Sequence, residues 1–220
     1  MCGIAGIVGG PPAERTLEAM LKTLEHRGPD DAGVHVVAGA ALGMTRLAII
    51  DLVTGRQPIT SEDGTATIVF NGEIYNFRAL RAELTARGHR FRTQSDTEVI
   101  LAAWRADGEA CVERLRGMFA FAIWDAPRRA LFLARDRLGK KPLYYWQDGA
   151  TLVFASEIKA LLCHPGPGRE VDWTAWHHYL AYGYTPAARS AFAGIAKLPP
   201  GHTATLADGR LTLRRYWTLP

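Results

Sequence analysis

The sequence of 220 residues contains little cysteine and no long apolar run. Its three cysteines, Cys2, Cys111 and Cys163, are too few for a disulfide framework, and their spacing matches no zinc site. No apolar stretch reaches the roughly 18 residues that a membrane span needs. The apolar start has no basic segment before it and is broken at residues 9–12 (GGPP), which argues against a signal peptide. These absences predict a cytoplasmic protein without a membrane partner.

A strong excess of one charge is also missing. The 26 Lys and Arg residues exceed the 22 Asp and Glu residues by only four, and the arginines are scattered along the chain. This pattern is typical of a solvated surface, so we expect no nucleic-acid partner. Hydrophobic residues make up 48% of the chain, which predicts a folded globular domain rather than a disordered one.

Short apolar runs and period-two alternation predict strands that come in groups, with helices between the groups. This order favours antiparallel sheets covered by helices, an α+β fold, over a doubly wound parallel sheet. Helical periodicity predicts helices at 14–25, 78–87, 97–106, 109–115 and 172–182. The predicted strands are 3–8, 33–37, 41–51, 67–71, 119–125, 130–136, 142–147, 152–156, 203–206 and 211–216.

Cys2 follows the initiator methionine and precedes Gly3. A small second residue favours removal of Met1, which would free the α-amine of Cys2. An α-amine titrates at about 7.7–8.0 and a thiol at about 8.5, so one residue can supply both nucleophile and general base. The position alone is more typical of a small buried thiol in a strand. A catalytic role for Cys2 therefore needs support from other residues.

Several polar residues farther along the chain offer that support. Asn71 and Gly72 follow a predicted strand, and an Asn side chain beside a free backbone N–H can form an oxyanion hole. The alternative is an ordinary Asn-Gly turn. Arg46 and Asp96, with Glu73, could hold a zwitterionic amino acid, Arg46 on the carboxylate and Asp96 on the ammonium. Each charge alone is more typical of a surface charge or a buried ion pair.

Eight sequence motifs follow one another in an order that is itself informative. They are 1–6 (MCGIAG), 26–30 (HRGPD), 46–52 (RLAIIDL), 71–76 (NGEIYN), 95–98 (SDTE), 117–125 (GMFAFAIWD), 134–145 (ARDRLGKKPLYY) and 154–161 (FASEIKAL). Together they resemble the class II glutamine amidotransferase domain of the N-terminal-nucleophile hydrolases, in its asparagine synthetase-like form. The resemblance runs from residue 1 to about residue 216. It implies a four-layer α/β/β/α sandwich of two mainly antiparallel sheets.

The resemblance implies a catalytic role for three residues. Cys2 would attack the side-chain amide carbon of glutamine, with its own α-amine as the base. The Asn71 side chain and the Gly72 N–H would bind the oxyanion. A thioester would form with release of ammonia and would then be hydrolysed to glutamate.

The resemblance also implies how glutamine is held. Arg46 would bind its α-carboxylate, and Asp96, helped by Glu73, would bind its α-ammonium. Backbone groups around Leu47 and Ile49 would add further contacts.

Other polar residues of the motifs are interpreted as structural. His26 is expected to order its loop rather than to act as the catalytic base. Arg135, Asp136 and Arg137 are expected to form an ion-pair set between the core and a loop. The pair Lys140-Lys141 departs from the family, which often has an apolar residue at the first of these positions. The departure leaves the implied catalytic residues unchanged.

The same branch of the family carries an ATP-using synthetase domain after the glutaminase. No Ser-Gly-Gly-x-Asp-Ser loop and no Walker-type loop occur in the sequence. We therefore expect a truncated or stand-alone glutaminase half, with a core at 1–163. Residues 164–220 would form the C-terminal part of the same domain and a linker toward the absent synthetase domain.

The expected partners are L-glutamine and that synthetase domain, in cis or in trans, and a homodimer stays open. No cofactor is implied for this half. ATP and Mg²⁺ would serve only the absent domain, with aspartate or a related carboxylate as the acceptor. Two alternatives remain: an N-terminal-nucleophile amidohydrolase for another amide, and a non-catalytic scaffold domain. The presence of Cys2 argues against the scaffold.

Overall fold

The computed structural model describes residues 1–10, 13–186 and 188–219. The predicted break in the apolar start covers residues 9–12. Two of these residues, Pro11 and Pro12, lie outside the described part of the chain. The described strands form two six-stranded sheets in which all neighbours are antiparallel. In spatial order the first sheet contains β10 (Ala196–Lys197), β8 (Tyr144–Asp148), β9 (Thr151–Ala155), β1 (Gly3–Val8), β3 (Ala40–Arg46) and β2 (Asp31–Val37). The second contains β12 (Arg210–Arg215), β11 (His202–Ala207), β7 (Ala130–Arg135), β6 (Gly117–Asp125), β5 (Ala66–Ile74) and β4 (Ile59–Thr60).

Helices cover the outer face of each sheet. Helices α1 (Glu14–Lys22) and α5 (Ile158–Leu161) pack on the first sheet, and α2 (Phe77–Ala86), α3 (Asp96–Asp107) and α4 (Cys111–Arg114) pack on the second. A further helix, α6 (Trp173–Tyr182), follows later in the chain. The predicted four-layer α/β/β/α sandwich is thus confirmed. Among the described residues, no helix combines the length and the apolar character needed to cross a membrane.

The two sheets face each other across an apolar layer. Successive side chains of a strand point to opposite faces, so every second residue of a central strand enters the space between the sheets. The residues that do so are apolar along most of each strand. They include Ile4 and Val8 of β1, Leu42 and Met44 of β3, Val69 of β5, Ala120 and Trp124 of β6, and Leu131 and Leu133 of β7.

Helix α3 begins where the sequence predicts a helix start. The Ser95 side chain accepts a hydrogen bond from the Thr97 N–H at 3.0 Å and caps the first turn. The first turn is buried against β5, so Asp96 is only 4% exposed. The cap therefore fixes a carboxylate in the interior at the end of the second sheet.

The main differences from the predicted secondary structure concern the ends of two strands and two short strands that were not predicted. The strand predicted at 41–51 ends at Arg46, because the apolar residues that follow lie in an exposed loop; Ile49 is 58% exposed and Val53 is 83% exposed. The strand predicted to end at Asn71 continues to Ile74, since β6 pairs with it over its whole length. The two-residue strands β4 and β10 were not predicted, because they are too short to show periodicity.

Replacing Phe121 with Ala is expected to destabilise the protein strongly. Its side chain is fully buried on the outer face of the second sheet, with ring centroids 5.6 Å from Phe119 and 6.1 Å from Phe132. We expect the free energy of unfolding to fall by about 3–5 kcal/mol, measured by urea denaturation. The control Leu213→Ala, at a β12 position that is 43% exposed, should change it by about 0.5 kcal/mol or less. Equal losses would contradict this description of the core.

Candidate active site

Polar side chains replace apolar ones at one end of the space between the sheets. Cys2 precedes Ile4 by two residues, Arg46 follows Met44 by two, and Asn71 follows Val69 by two. The two-residue period therefore directs all three side chains into the same space. A cavity of about 50 Å³ lies there. All eight predicted site residues line it: Cys2, Arg46, Leu47, Ile49, Asn71, Gly72, Glu73 and Asp96.

Cys2 is held from two sides. Its Sγ lies 3.6 Å from the carbonyl oxygen of Leu47, and its own carbonyl accepts a hydrogen bond from Arg27 Nε at 3.0 Å. Met1 is 56% exposed and lines the same cavity, so its removal would enlarge the space beside the thiol.

Asn71 is buried with both ends of its side chain unsatisfied. The residue is 1% exposed, and neither Oδ1 nor Nδ2 has a hydrogen-bond partner among the described residues. A buried amide without a partner costs about 1–3 kcal/mol per group. Such a group in a cavity beside a thiol indicates a place where a ligand completes the hydrogen bonds.

The backbone of Gly72 offers a second donor next to Asn71. Gly72 pairs with Phe119, whose N–H and C=O both bond to Asp136 on the far side of β6. Gly72 and Phe119 therefore exchange no hydrogen bond with each other. In such a pair the N–H of Gly72 points away from β6, to the other side of β5. On that side Gln57 bonds to both backbone groups of Phe70. Two residues beyond Gly72, the Ile74 N–H donates to Asp96 at 3.0 Å.

The N–H of Gly72 thus lies between two satisfied N–H groups and has no partner of its own among the described residues. Only glycine can occupy this position, since a Cβ atom would lie 2.2 Å from the carbonyl oxygen of Met118. The turn considered for Asn71-Gly72 is absent, because both residues lie within β5.

Arg46 and Asp96 carry opposite charges at two walls of the cavity. Arg46 is 5% exposed, and its Nη2 donates to the carbonyls of Ile50 at 3.3 Å and Asp51 at 2.5 Å. The loop after β3 therefore folds back onto one edge of the guanidinium. Burial, with a smaller effect from the nearby charge of Glu73, raises the pKa of Asp96 to about 6, although its backbone hydrogen bonds lower it. A buried carboxylate of this kind favours a cationic ligand.

Three residues of the site were not predicted: Arg27, Gln57 and Lys141. Arg27 bonds to the Cys2 carbonyl, and its Nη1 donates to Glu157 at 2.8 Å. Lys141 is 6% exposed and lines the cavity. Arg27 and Lys141 lie in quoted motifs, so the motifs contained a signal for them. Gln57 stands in a loop without any pattern that could have indicated it.

The structural interpretation of the other motif residues is only partly correct. His26 lies 3.0 Å from Glu157 on the surface and outside the residues that line the cavity. The predicted ion-pair set of Arg135, Asp136 and Arg137 is wrong for the described residues. Arg135 and Asp136 instead bond to backbone groups of the loop after β7, which satisfies their charges without a carboxylate–guanidinium pair.

A larger cavity, of about 560 Å³, lies beside the loop before α3 and is lined by four arginines, His89 and other residues. Its lining contains no cysteine, and the hydroxyl of its serine, Ser61, donates to Asp63 at 2.6 Å. Among the described residues, no group of three or more His, Cys, Asp or Glu side chains is arranged to hold a metal ion. The small cavity at Cys2 is therefore the candidate active site.

Several known proteins have a similar sequence. The family of glutamine amidotransferase domains matches residues 1–217. Asparagine synthetase [glutamine-hydrolyzing] 3 of Bacillus subtilis strain 168 is 43% identical over 100% of this chain, which spans 37% of that relative. Putative asparagine synthetase [glutamine-hydrolyzing] 2 of Methanocaldococcus jannaschii is 34% identical, again over 100% of this chain and 47% of the relative. The chain therefore spans less than half of the length of these two curated relatives.

Solved structures support the fold. Glutamine phosphoribosylpyrophosphate amidotransferase from B. subtilis, complexed with ADP and GMP, matches with a TM-score of 0.71 at 23% identity. The match covers 99% of this chain and 50% of that one. An allosteric regulatory enzyme of purine biosynthesis matches over the same shares with a TM-score of 0.72 at 22% identity.

The buried carboxyl of Asp96 is expected to destabilise the protein above pH 6. Its pKa is higher in the folded state than in the unfolded chain, so the folded state binds more protons between about pH 4 and pH 6. The free energy of unfolding therefore falls as the pH rises through this range. Asp96→Asn, which retains an acceptor for the Ile74 N–H, should stabilise the protein by about 1–3 kcal/mol at pH 8 and by about zero at pH 4.

Urea denaturation at the two pH values measures this difference. Asp148→Asn, at an exposed position at the end of β8, is the control. A gain for Asp96→Asn that is equal at both pH values would contradict the prediction.

Proposed function

This chain belongs to the class II glutamine amidotransferase family, with asparagine synthetases as relatives, and we propose that Cys2 is the nucleophile with which it hydrolyses the side-chain amide of glutamine. The observation that carries the proposal is the pair of unsatisfied groups beside the thiol. The Asn71 side chain and the Gly72 N–H both lack partners in the cavity that Cys2 lines. A tetrahedral oxyanion would supply the missing acceptor.

The reaction begins once Met1 has been removed and the α-amine of Cys2 is free. The amine takes the thiol proton, directly or through a water, and the thiolate attacks the amide carbon of glutamine. A carbon–sulfur bond forms, and the electron pair of the C=O bond moves to oxygen. Asn71 Nδ2 and the Gly72 N–H then donate to this oxyanion. Donors fixed in position before the reaction stabilise such a charge without reorganisation.

The adduct then loses ammonia. The C–N bond breaks, and the proton held by the α-amine passes to the leaving nitrogen, which departs as NH₃. A thioester of Cys2 remains. Water, deprotonated by the same amine, attacks the thioester and releases glutamate and the thiol. The net change is glutamine plus water to glutamate plus ammonia.

Arg46 and Asp96 would hold the amino-acid end of the substrate. One edge of the Arg46 guanidinium is used by the loop, and its second edge is able to form a paired contact with the α-carboxylate. The α-ammonium of glutamine would bind between Asp96 and Glu73, where it compensates a buried negative charge. The backbone of the loop that contains Leu47 and Ile49 would close over the substrate.

The whole protein would use the ammonia in a second reaction. We propose an asparagine synthetase-like enzyme, since the two named relatives extend far beyond the part that this chain spans. Its C-terminal domain would use ATP and Mg²⁺ to activate aspartate or a related carboxylate. Within the present chain, residues 1–163 would form the glutaminase core, and residues 164–220 would complete the domain and lead toward the synthetase part.

Hydrolysis of another amide is the alternative activity, and a scaffold without activity is the alternative to an enzyme. Asp96 and Arg46 favour a substrate with a free amino-acid end, because a plain amide would leave both charges uncompensated. Comparing glutamine with an amide that lacks the α-ammonium separates these substrates. The scaffold is the correct description if Met1 is retained and no glutamate is released.

Cys2→Ala is expected to abolish glutamate release from glutamine, because no other group in the cavity can form the thioester. Cys163→Ala, which changes a partly exposed thiol on the outer layer, should retain full activity. Intact mass should show loss of Met1 in both variants. Glutamate release by Cys2→Ala at the rate of the unmodified protein would refute the mechanism.

Asn71→Ala is expected to lower kcat by about 10²–10³, because it removes one oxyanion donor. KM for glutamine should change much less, since the amide oxygen carries little charge before attack. The same variant should not lose stability, because the side chain of Asn71 makes no hydrogen bond among the described residues. Steady-state kinetics and thermal unfolding measure both effects. A rise in KM with unchanged kcat would contradict the assignment.

A further inference from the structure

Lys141 is a buried cation in the wall of the cavity around Cys2. It is 6% exposed, lines the same space as Cys2, Asn71 and Glu73, and forms no ion pair within 4 Å with any residue that the structure describes. A lysine is almost never this buried without a partner unless its charge has a use. Neither the oxyanion donors nor the groups assigned to glutamine binding account for it.

The loop after β7 holds Lys141 in place through its backbone. Asp136 accepts hydrogen bonds from the N–H groups of Leu138, Lys140 and Lys141 at 2.9–3.1 Å. Arg135 donates to the carbonyl of Lys141 at 2.7 Å and to that of Gly139 at 2.8 Å. Because both backbone groups of Lys141 are bound, the residue enters the cavity from a fixed position.

The backbone contacts of Lys141 lie close to the oxyanion donors, because the Asp136 carboxylate oxygen that accepts from the Lys141 N–H also accepts from Phe119, the partner of Gly72 in the sheet. Burial lowers the pKa of Lys141, whereas Glu73 and Cys2 raise it and Arg27 lowers it. Arg27 itself bonds to the Cys2 carbonyl, so these groups surround the nucleophile. Arg46 is tied to the loop at Ile50 and Asp51 on another wall. The cavity therefore has two separate positive positions.

We propose that Lys141 takes part directly in glutamine hydrolysis, as the positive charge that stabilises the Cys2 thiolate and the oxyanion formed from it. The inference rests on the proposed function and assigns the second cation of the site to the reacting end of the substrate. Arg46 serves the α-carboxylate, and Lys141 serves the charge that develops during attack. The same ammonium attracts the γ-carboxylate of the glutamate product.

Alkylation of Cys2 tests this charge without any turnover. Iodoacetate and iodoacetamide react alike, since the sulfur–carbon bond forms as iodide leaves, but only iodoacetate is an anion. The ratio of their rates at Cys2, measured by mass spectrometry of the Cys2 peptide at low ionic strength, reports the local positive charge. Lys141→Met should lower the ratio by about tenfold, because a charge in a narrow cleft concentrates anions 10–10³-fold.

Two further variants make the test specific. Lys141→Arg keeps the charge and should keep the ratio near that of the unmodified protein. Lys140→Met removes the same charge from the exposed neighbouring position, which is bound to the same Asp136 carboxylate, and should leave the ratio unchanged. An unchanged ratio in Lys141→Met, or an equal fall in Lys140→Met, overturns the proposal. Equal slowing of both reagents in Lys141→Met shows a structural effect and also overturns it.

Kinetics then connect the charge to the reaction. Lys141→Met should lower kcat for glutamine by about 10²-fold and weaken inhibition by glutamate, whereas Lys141→Arg should recover most of both. A lower kcat with unchanged glutamate inhibition contradicts a position at the reacting end. If Cys2→Ala retains full activity, the proposed function fails on its own. The alkylation ratio still shows whether Lys141 places a charge at Cys2.

Discussion

The site depends on the regular alternation of side chains in two sheets that face each other. The rows that point inward are apolar along most of their length and hold the sheets together. At one end of three strands the same rows continue as Cys2, Arg46 and Asn71. The hydrophobic effect that packs the sandwich thus also brings together residues that are far apart in the chain. A shift of one residue in the register of β1, β3 or β5 would turn one of these side chains to the opposite face.

Several polar groups at this end of the sandwich lie next to the cavity without a partner among the residues described. Within the described part of the chain, neither the Asn71 amide nor the Gly72 N–H has a partner, and Asp96 stays buried beside Glu73. Each such feature lowers stability in the free protein, because desolvation is not compensated. The apolar layers on both sides of the second sheet offset this cost. The unsatisfied groups match what an amide substrate with a free amino-acid end would supply.

Much of this arrangement could be predicted from the sequence. Period-two runs indicated most strands, because this alternation is a local pattern, and the family resemblance that the motifs carry implied the residues that line the cavity. The strand predicted past Arg46 was too long, since an apolar run can equally form an exposed loop. Lys141, Arg27 and Gln57 were missed for a different reason: their importance lies in contacts across the chain, such as the bond from Arg27 to the Cys2 carbonyl. Such contacts follow from tertiary packing, which no local pattern encodes.

The strand that carries Cys2 lies between β3 and β9, bound by ladder hydrogen bonds on both sides. Chain ends usually fray, yet this one is anchored from Gly3 onward and is held at Cys2 by Arg27. Any peptide fused in front of Cys2 would start beside the cavity, where Met1 lies, and would keep the Cys2 amine acylated. Recombinant protein for assays should therefore carry its purification tag at the C-terminus. The cell can then remove Met1 and leave the α-amine of Cys2 free.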